Sequence, residues 1–340
     1  MEIERDRKNK KIFIHQKIYV ANMLEQFNLS NINPKYAPLP KSSEKDMYNF
    51  TGKSAQPYTR GDYRAKIGKL LYLSLVTRPD LVCAVGKLAQ FNNDPLVGHD
   101  HLVNHLFAYV KQTADLGITI YGDINPINIF CDAAHSNDPD FKSRTGYIVR
   151  LGQSVICWGS KKQTLTSLST TESEIVALPI AVVTAMWLKK LLIELGCTVH
   201  NEPIMVHEDN MATILACQNI GTSMRTPHHG RKHRFLYDNY ETGEITFVHC
   251  PGEDMIADQL TKVLDRATHE KHSRWMVSKG DGSEPFNIVT SQLAQVEAKR
   301  RGEHAGSPYR MHERSWHRAS TRACHLALGI NSWASRPRRG

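Results

Sequence analysis

The chain has 340 residues, 41% of them hydrophobic, which is enough for two compact domains and a tail. Its formal net charge is +9, yet residues 296–340 hold ten Lys/Arg against three Asp/Glu, so the remainder is close to neutral and a uniformly basic surface is excluded. Seven cysteines without framework spacing, no signal-peptide core in MEIERDRKNKK and no apparent apolar run of bilayer length predict a reduced intracellular protein, cytoplasmic or nuclear, with no membrane partner.

Ile12 to His15 alternates weakly as a strand, and Lys17 to Phe27 places Ile18, Leu24 and Phe27 near helical spacing. Residues 33–61 are rich in Pro, Ser, Lys and Gly and read as a linker. From Tyr63 the pattern turns helical, with Ile67, Leu70, Leu71 and Leu75 forming one apolar face. A second helix begins near Pro79 and Asp80 and carries Leu81, Val85, Leu88 and Phe91. His99, His101 and His105 raise the question of a zinc site, but no Cys or carboxylate stands at matching spacing, so helix packing is the preferred reading.

Between Ile118 and Ser160 the period changes to short β runs. Ile127 to Ala133, Thr145 to Leu151 and Ser154 to Trp158 predict an antiparallel meander, with a tight turn at Leu151-Gly152-Gln153-Ser154. Ser169-Thr170-Thr171-Glu172 fits a capping box and opens a helix that runs through Trp187 and Leu192 to a stop at Gly196. A strand and helix follow from Ile204 to Gln218, then a short helix, a strand at Ile245 to His249, and a helix from Asp254 to Leu264. Three strands, a helix, then strands alternating with helices predict a mixed α/β sheet. Beyond about residue 280, Ser, Gly, Arg and His mix without period. That composition predicts a disordered basic tail; phosphate binding by Arg300, Arg301, Arg336, Arg338 and Arg339 is the alternative.

Phe130-Cys131-Asp132-Ala133-Ala134 reads as a short buried strand ending in a carboxylate, and three later acids can converge on it. Glu174 lies in the first turn of the long helix, Asp209 follows Ile204-Met205-Val206, and Asp258 lies within Met255-Ile256-Ala257-Asp258-Gln259-Leu260. Each has a plain alternative taken singly. Asp209, before Asn210, could cap a helix, and Asp258 could be a solvated helix position.

The segments CDAAHSNDPDFKSRTGYIV, ICWGSKKQTLTSLSTTESEIVAL, EDNMATILA and GEDMIADQLTKVL, in this order, resemble the ribonuclease H domain of copia-type LTR-retrotransposon Pol polyproteins. Upstream, YRAKIGKLLYLSLVTRPDLVCAVGKLAQF and HLFAYVKQTADLGITIYG resemble the connection between reverse transcriptase and ribonuclease H in that family. The resemblance covers roughly residues 1–276 and implies three parts: 1–61, a remnant after the polymerase palm plus linker; 62–122, a mainly helical connection region; and 123–276, a ribonuclease H-like domain; it leaves the basic tail, 277–340, unexplained. It implies an α/β fold with a ribonuclease H-like mixed sheet and flanking helices. It also implies hydrolysis of the RNA strand of an RNA–DNA hybrid, leaving 5′-phosphate and 3′-hydroxyl ends.

Such chemistry requires a water deprotonated near neutral pH and a stabilised leaving oxyanion, which two Mg2+ ions, or Mn2+ in their place, supply. Hard cations take oxygen ligands, and the resemblance assigns them Asp132, Glu174, Asp209 and Asp258, leaving Glu172 as a helix cap. Clustered carboxylates repel, so at least one should carry a raised pKa without metal. His249, just before the last helix, is placed to protonate a leaving group; an exposed strand-end histidine is the alternative. Lys142, Arg144, Lys161, Lys162 and Gln163 flank the first strands and are candidates to contact the hybrid backbone, with a solvated hairpin face as the alternative. His228 matches a basic loop of the family.

The chain departs from the family at two places. Pro179 falls inside the helix that carries Glu174, where an interior ring costs about 3 kcal/mol and kinks the helix. Arg225-Thr226-Pro227-His228-His229-Gly230 replaces a more strongly charged loop. The aspartate motif of the polymerase palm and any integrase motif are absent, so polymerisation would need the reverse transcriptase portion as a partner. A non-catalytic, truncated remnant that at most binds nucleic acid therefore stays open beside the active enzyme.

Overall fold

The structure is a computed structural model that describes residues 1–135, 139–197, 202–219 and 227–280. Met1–Ala185 and Pro203–Pro285 form one compact unit, and Met186–Glu202 belongs to a second. The expected tail, 277–340, falls outside the described residues from 281 onward.

Two sheets and a helical layer build the first unit. β1 (Glu2–Asp6), β2 (Lys11–His15), β3 (Leu116–Tyr121) and β9 (Ser278–Lys279) form an antiparallel sheet in the order β1-β2-β3-β9. β1 is exposed and charged, so it lacks the alternation that marks a strand in sequence, and its pairing with β2 decides its conformation. α1 (Lys17–Gln26), α3 (Arg60–Val76), α4 (Val82–Leu88) and α5 (Val97–Gln112) then pack into one hydrophobic cluster centred on Met23, Leu70, Leu88 and Phe107.

Two expectations for this region change. The stretch 33–61 is packed rather than a free linker: α2 (Ser43–Asp46) lies in it, and Leu39 and Met47 are buried in the same cluster. The inward face of α3 is Tyr63, Lys66, Ile67, Leu70 and Leu73, whereas Leu71 and Leu75 are exposed. Burying the Lys66 ammonium is tolerated because Asp100 accepts from it at 2.7 Å and Asn104 at 3.2 Å. His99 has a packing role, as expected. Its Nδ1 accepts the Leu96 amide at the start of α5, so its Nε2 carries the proton and donates to Met47 O at 2.8 Å.

The second sheet is mixed, in the order β6-β5-β4-β7-β8. β4 (Ile127–Ala134), β5 (Arg144–Leu151) and β6 (Ser154–Lys162) form the expected antiparallel meander. Leu151 faces Ser154 across a two-residue turn, where Gly152 takes φ +54°, a conformation that L side chains rarely adopt. β7 (Ile204–Glu208) and β8 (Ile245–His249) add on the other side of β4, parallel to it. Every residue of β4 is buried, as expected of a central strand covered on both faces.

α6 (Thr170–Glu194) crosses over between β6 and β7, α7 (Met211–Gln218) and α8 (Pro227–Glu241) between β7 and β8, and α9 (Arg266–Ser273) follows. This strand order and its crossovers make the sheet ribonuclease H-like, as the resemblance implies. α6 runs unbroken through Pro179. Contrary to the sequence expectation, α6 is also long and apolar enough to cross a bilayer by length and composition; more than half of its most apolar stretch is buried inside the protein, as in a core helix. The expected helix from Asp254 to Leu264 is instead two short 3-10 helices, Gly252–Asp254 and Ile256–Leu260, followed by irregular chain.

Candidate active site

β4 is the strand at which the sheet changes direction, antiparallel to β5 on one side and parallel to β7 on the other. In open α/β sheets, ligands collect beyond the carboxyl ends of strands at such a switch point. Phe130 pairs with His207, so Asp132 and Asp209, each two residues further on, come level at that end. Glu208 closes β7, Glu174 enters from the second turn of α6, and Asp258 enters from the short helix Ile256–Leu260.

The carboxylates form two overlapping trios. In each of Asp132/Asp209/Asp258 and Glu174/Glu208/Asp209, one oxygen per residue lies within 4.8 Å of the others. Asp209 belongs to both. All four acids expected from the sequence are therefore brought together, and Glu208 is a fifth that the sequence reading missed. Its signal was two successive acids at the end of an apolar strand, of which only the second was taken.

Burial and mutual repulsion make these groups hard to ionise. Asp132 is only 2% exposed; burial and the charge of Asp258 push its pKa up to about 6, against the pull of Lys262 and Thr261. Glu174 is raised well above the usual carboxylate range by burial, then by Glu208 and Asp132. Glu208 is raised well above it by burial and by Asp209. Asp209 moves in the same direction through burial and Asp132. Glu174 Oε2 and Glu208 Oε2 are buried without a hydrogen-bond partner. Anionic oxygens left bare inside a protein are costly unless a cation meets them, so the residues present fit a divalent metal.

Neighbouring groups hold the acids in place. Thr261 Oγ1 donates to Asp132 Oδ2, and Lys262 Nζ lies 2.7 Å from Asp258 Oδ1 and 3.5 Å from Asp132 Oδ1. Asn210, not Asp209, caps α7, its Oδ1 accepting from the amides of Ala212 and Thr213, which leaves the Asp209 carboxylate to the cluster. Glu172 acts as the expected cap: its amide donates to Ser169 Oγ at 3.2 Å, and its Oε2 accepts from Leu168 N at 2.5 Å.

Gly146 faces Asp132 across the β4/β5 ladder. A Cβ there would stand 2.6 Å from Thr261 Cγ2 and 2.8 Å from Leu260 Cβ, so the chain carrying Asp258 can approach the sheet only over a glycine. Gly146→Ala is expected to lift that segment, cost about 1–3 kcal/mol as an overpacking change, and weaken divalent-cation binding. Thermal unfolding with and without Mg2+ checks both effects.

The other sequence-derived candidates divide. His249 is exposed at the end of β8, paired in register with Glu208, and its charge acts on Asp209. Lys161 is exposed and Lys142 half-buried; Lys162 is held by Asp140 and Gln90, each at 2.9 Å. Arg144 and Gln163 are buried and do not form an outer face. Arg144 is 4% exposed, packs beside Gly86 of α4 and donates to Ser160 Oγ. Gln163 Nε2 donates to Thr145 Oγ1 and to Ser173 O, fastening the start of α6, and with it Glu174, to β5. For Arg144 the covering element, α4, comes from elsewhere in the chain, which a hairpin pattern does not show. The side chain of His228 lies outside the described residues.

No family model matches the chain. The Retrovirus-related Pol polyprotein from transposon RE2 of Arabidopsis thaliana is 31% identical over 274 residues, covering 80% of this chain and 18% of that protein. The corresponding polyprotein from transposon TNT 1-94 of Nicotiana tabacum is 30% identical over 274 residues, 79% of this chain and 20% of that protein. The chain thus spans about a fifth of the length of these relatives. Among solved structures, LC11-RNase H1, isolated from compost, aligns with 40% of this chain and 93% of its own at 19% identity and a TM-score of 0.33. On its similarity to the transposon proteins over four-fifths of its length, the chain belongs to the copia-type, retrovirus-related Pol polyprotein family, of which it matches a segment.

Proposed function

We propose that the chain is a retroelement ribonuclease H that hydrolyses the RNA strand of an RNA–DNA hybrid during reverse transcription. The observation that carries this reading is the set of five converging carboxylates, two of them with bare buried oxygens. Asp132, Glu174, Asp209 and Asp258, joined by Glu208, would hold two Mg2+ ions, with Mn2+ able to replace them. When bound, such ions supply a deprotonated water and stabilise the leaving 3′-oxygen.

The chain's own groups do the rest. Thr261 orients Asp132, Lys262 pairs with Asp132 and Asp258 while those oxygens hold no ion, Gln163 fixes the helix that presents Glu174, and His249 gives a proton to the leaving oxygen from the open side of the site. Lys161 and Lys142 contact the hybrid backbone, and the reverse transcriptase portion of the polyprotein extends that grip. The protein works inside the cell, in cytoplasm or nucleus. The unbroken run of α6 past Pro179, with Glu174 still in the cluster, supports the active enzyme over a non-catalytic remnant.

The test uses strand-labelled substrates in Mg2+ or Mn2+. RNA paired with DNA should be cut to 5′-phosphate and 3′-hydroxyl ends, while duplex DNA stays intact. Equal cutting of both duplexes, or ends of the opposite kind, would count against the proposal.

A further inference from the structure

The two acid trios are not equivalent. Lys262 stands against Asp258 and Asp132, two members of the first trio, and is placed there by its position four residues after Asp258, whose carbonyl its amide donates to at 2.9 Å. Among the described residues, no Lys, Arg or His nitrogen lies within 4.0 Å of the Glu174, Glu208 or Asp209 carboxylates. Glu174 and Glu208 instead keep one bare buried oxygen each.

An ammonium on a flexible four-carbon stem is a compact monovalent cation. Where it lies it neutralises the Asp132 and Asp258 oxygens that the reading above assigns to a divalent ion. One cation must leave before another takes those oxygens. The Lys262 side chain is 34% exposed, so it has an outward path that does not require the fold to open.

We propose that Lys262 is a resident cation that sets the order of metal loading. The first divalent ion enters at Glu174/Glu208/Asp209, where no side-chain cation stands in ion-pair contact, and the second enters at Asp132/Asp209/Asp258 only as Lys262 withdraws. This rests on reading the cluster as a divalent-metal centre. It adds a positioning residue whose effect is on affinity and order as well as on turnover.

The experiment is a Mn2+ titration of the full chain, without nucleic acid, followed by the electron paramagnetic resonance of free Mn2+. Wild type, Lys262→Met and Lys262→Arg are compared, with melting in EDTA as a second readout. Wild type should show a tighter and a weaker class of bound Mn2+. In Lys262→Met the weaker class should tighten about tenfold or more, the scale of losing a charge-assisted hydrogen bond. The metal-free melting temperature should fall, because Asp132 and Asp258 lose their counter-ion. Lys262→Arg should behave as wild type in both. Unchanged or weaker Mn2+ binding in Lys262→Met overturns the ordering while leaving the metal centre standing. Absence of Mn2+ binding in all three proteins overturns the metal centre, and the ordering with it.

Discussion

Asp132→Asn is expected to make the metal-free protein more stable, by about 3 kcal/mol at pH 8, the value of a pKa moved from 3.8 to about 6. The carboxyl is buried among other acids, so ionising it in the folded protein is unfavourable. The sign follows from proton linkage. Between pH 3.8 and about 6 the unfolded chain has released this proton and the folded protein still holds it, so stability falls as pH rises through that window. Above it the loss is complete. The amide of Asn resembles the neutral carboxyl and never bears the charge. The advantage of the variant should therefore be full at pH 8, shrink through pH 6 and vanish near pH 4. Urea unfolding in EDTA at these three values checks it. A variant less stable than wild type at pH 8 would make Asp132 a structural carboxylate. Saturating Mg2+ should erase the advantage, because binding to the folded state alone adds stability to wild type.

Arg78→Leu is expected to cost about 3–5 kcal/mol, the range for breaking a buried ion pair on one side. Arg78 is 1% exposed and grips Asp80 with two bonds, Nε to Oδ1 at 2.9 Å and Nη2 to Oδ2 at 2.7 Å. Its Nη1 also donates to Thr113 O at 2.8 Å, and Tyr109 donates its hydroxyl to Asp80 Oδ2 at 2.9 Å. Burial alone would push the Asp80 carboxyl up, but Arg78 prevails and holds it below the ordinary range. Removing the guanidinium leaves a fully buried anion with one hydroxyl partner. The pair sits where α3, α4 and α5 meet, and Tyr109 packs edge-on against His269 of α9, so the damage spreads across the unit. The double variant Arg78→Leu/Asp80→Leu should recover much of the loss. Chemical denaturation of the three proteins measures both effects, and a single-variant loss under about 1 kcal/mol would refute the assignment.

The sequence was most legible where one periodicity ran without a tertiary partner overriding it. The meander Ile127 to Trp158 and the strand-helix run from Ile204 to Gln218 stand as expected, because the turn at Gly152 and the apolar runs are local signals. Asp132 was visible as a charge ending an apolar strand. Glu174 could be told from Glu172 only through the resemblance, and the capping bonds of Glu172 agree with that division. Glu208 was only half legible: the pair Glu208-Asp209 ending an apolar strand marks the place, but a parallel strand buried on both faces has no alternation to separate a structural from a site-facing residue. Arg144 looked solvated because α4 covers it from afar, and Gln163 because its loop folds back so that its amide reaches Thr145 of β5 and the start of α6. The chain around Asp258 looked helical from Met255, Ile256, Gln259 and Leu260; tight packing over Gly146 goes with 3-10 turns there instead.

The most direct test of the account is the initial rate of RNA-strand cleavage in a labelled RNA–DNA hybrid as Mg2+ is added, wild type against Asp132→Asn. The account predicts Mg2+-dependent cutting by wild type and a loss of at least about 100-fold in the variant, more than removing an outer partner of a metal ligand costs. Cleavage at equal rates in both proteins, or cleavage by wild type that persists in EDTA, would contradict it.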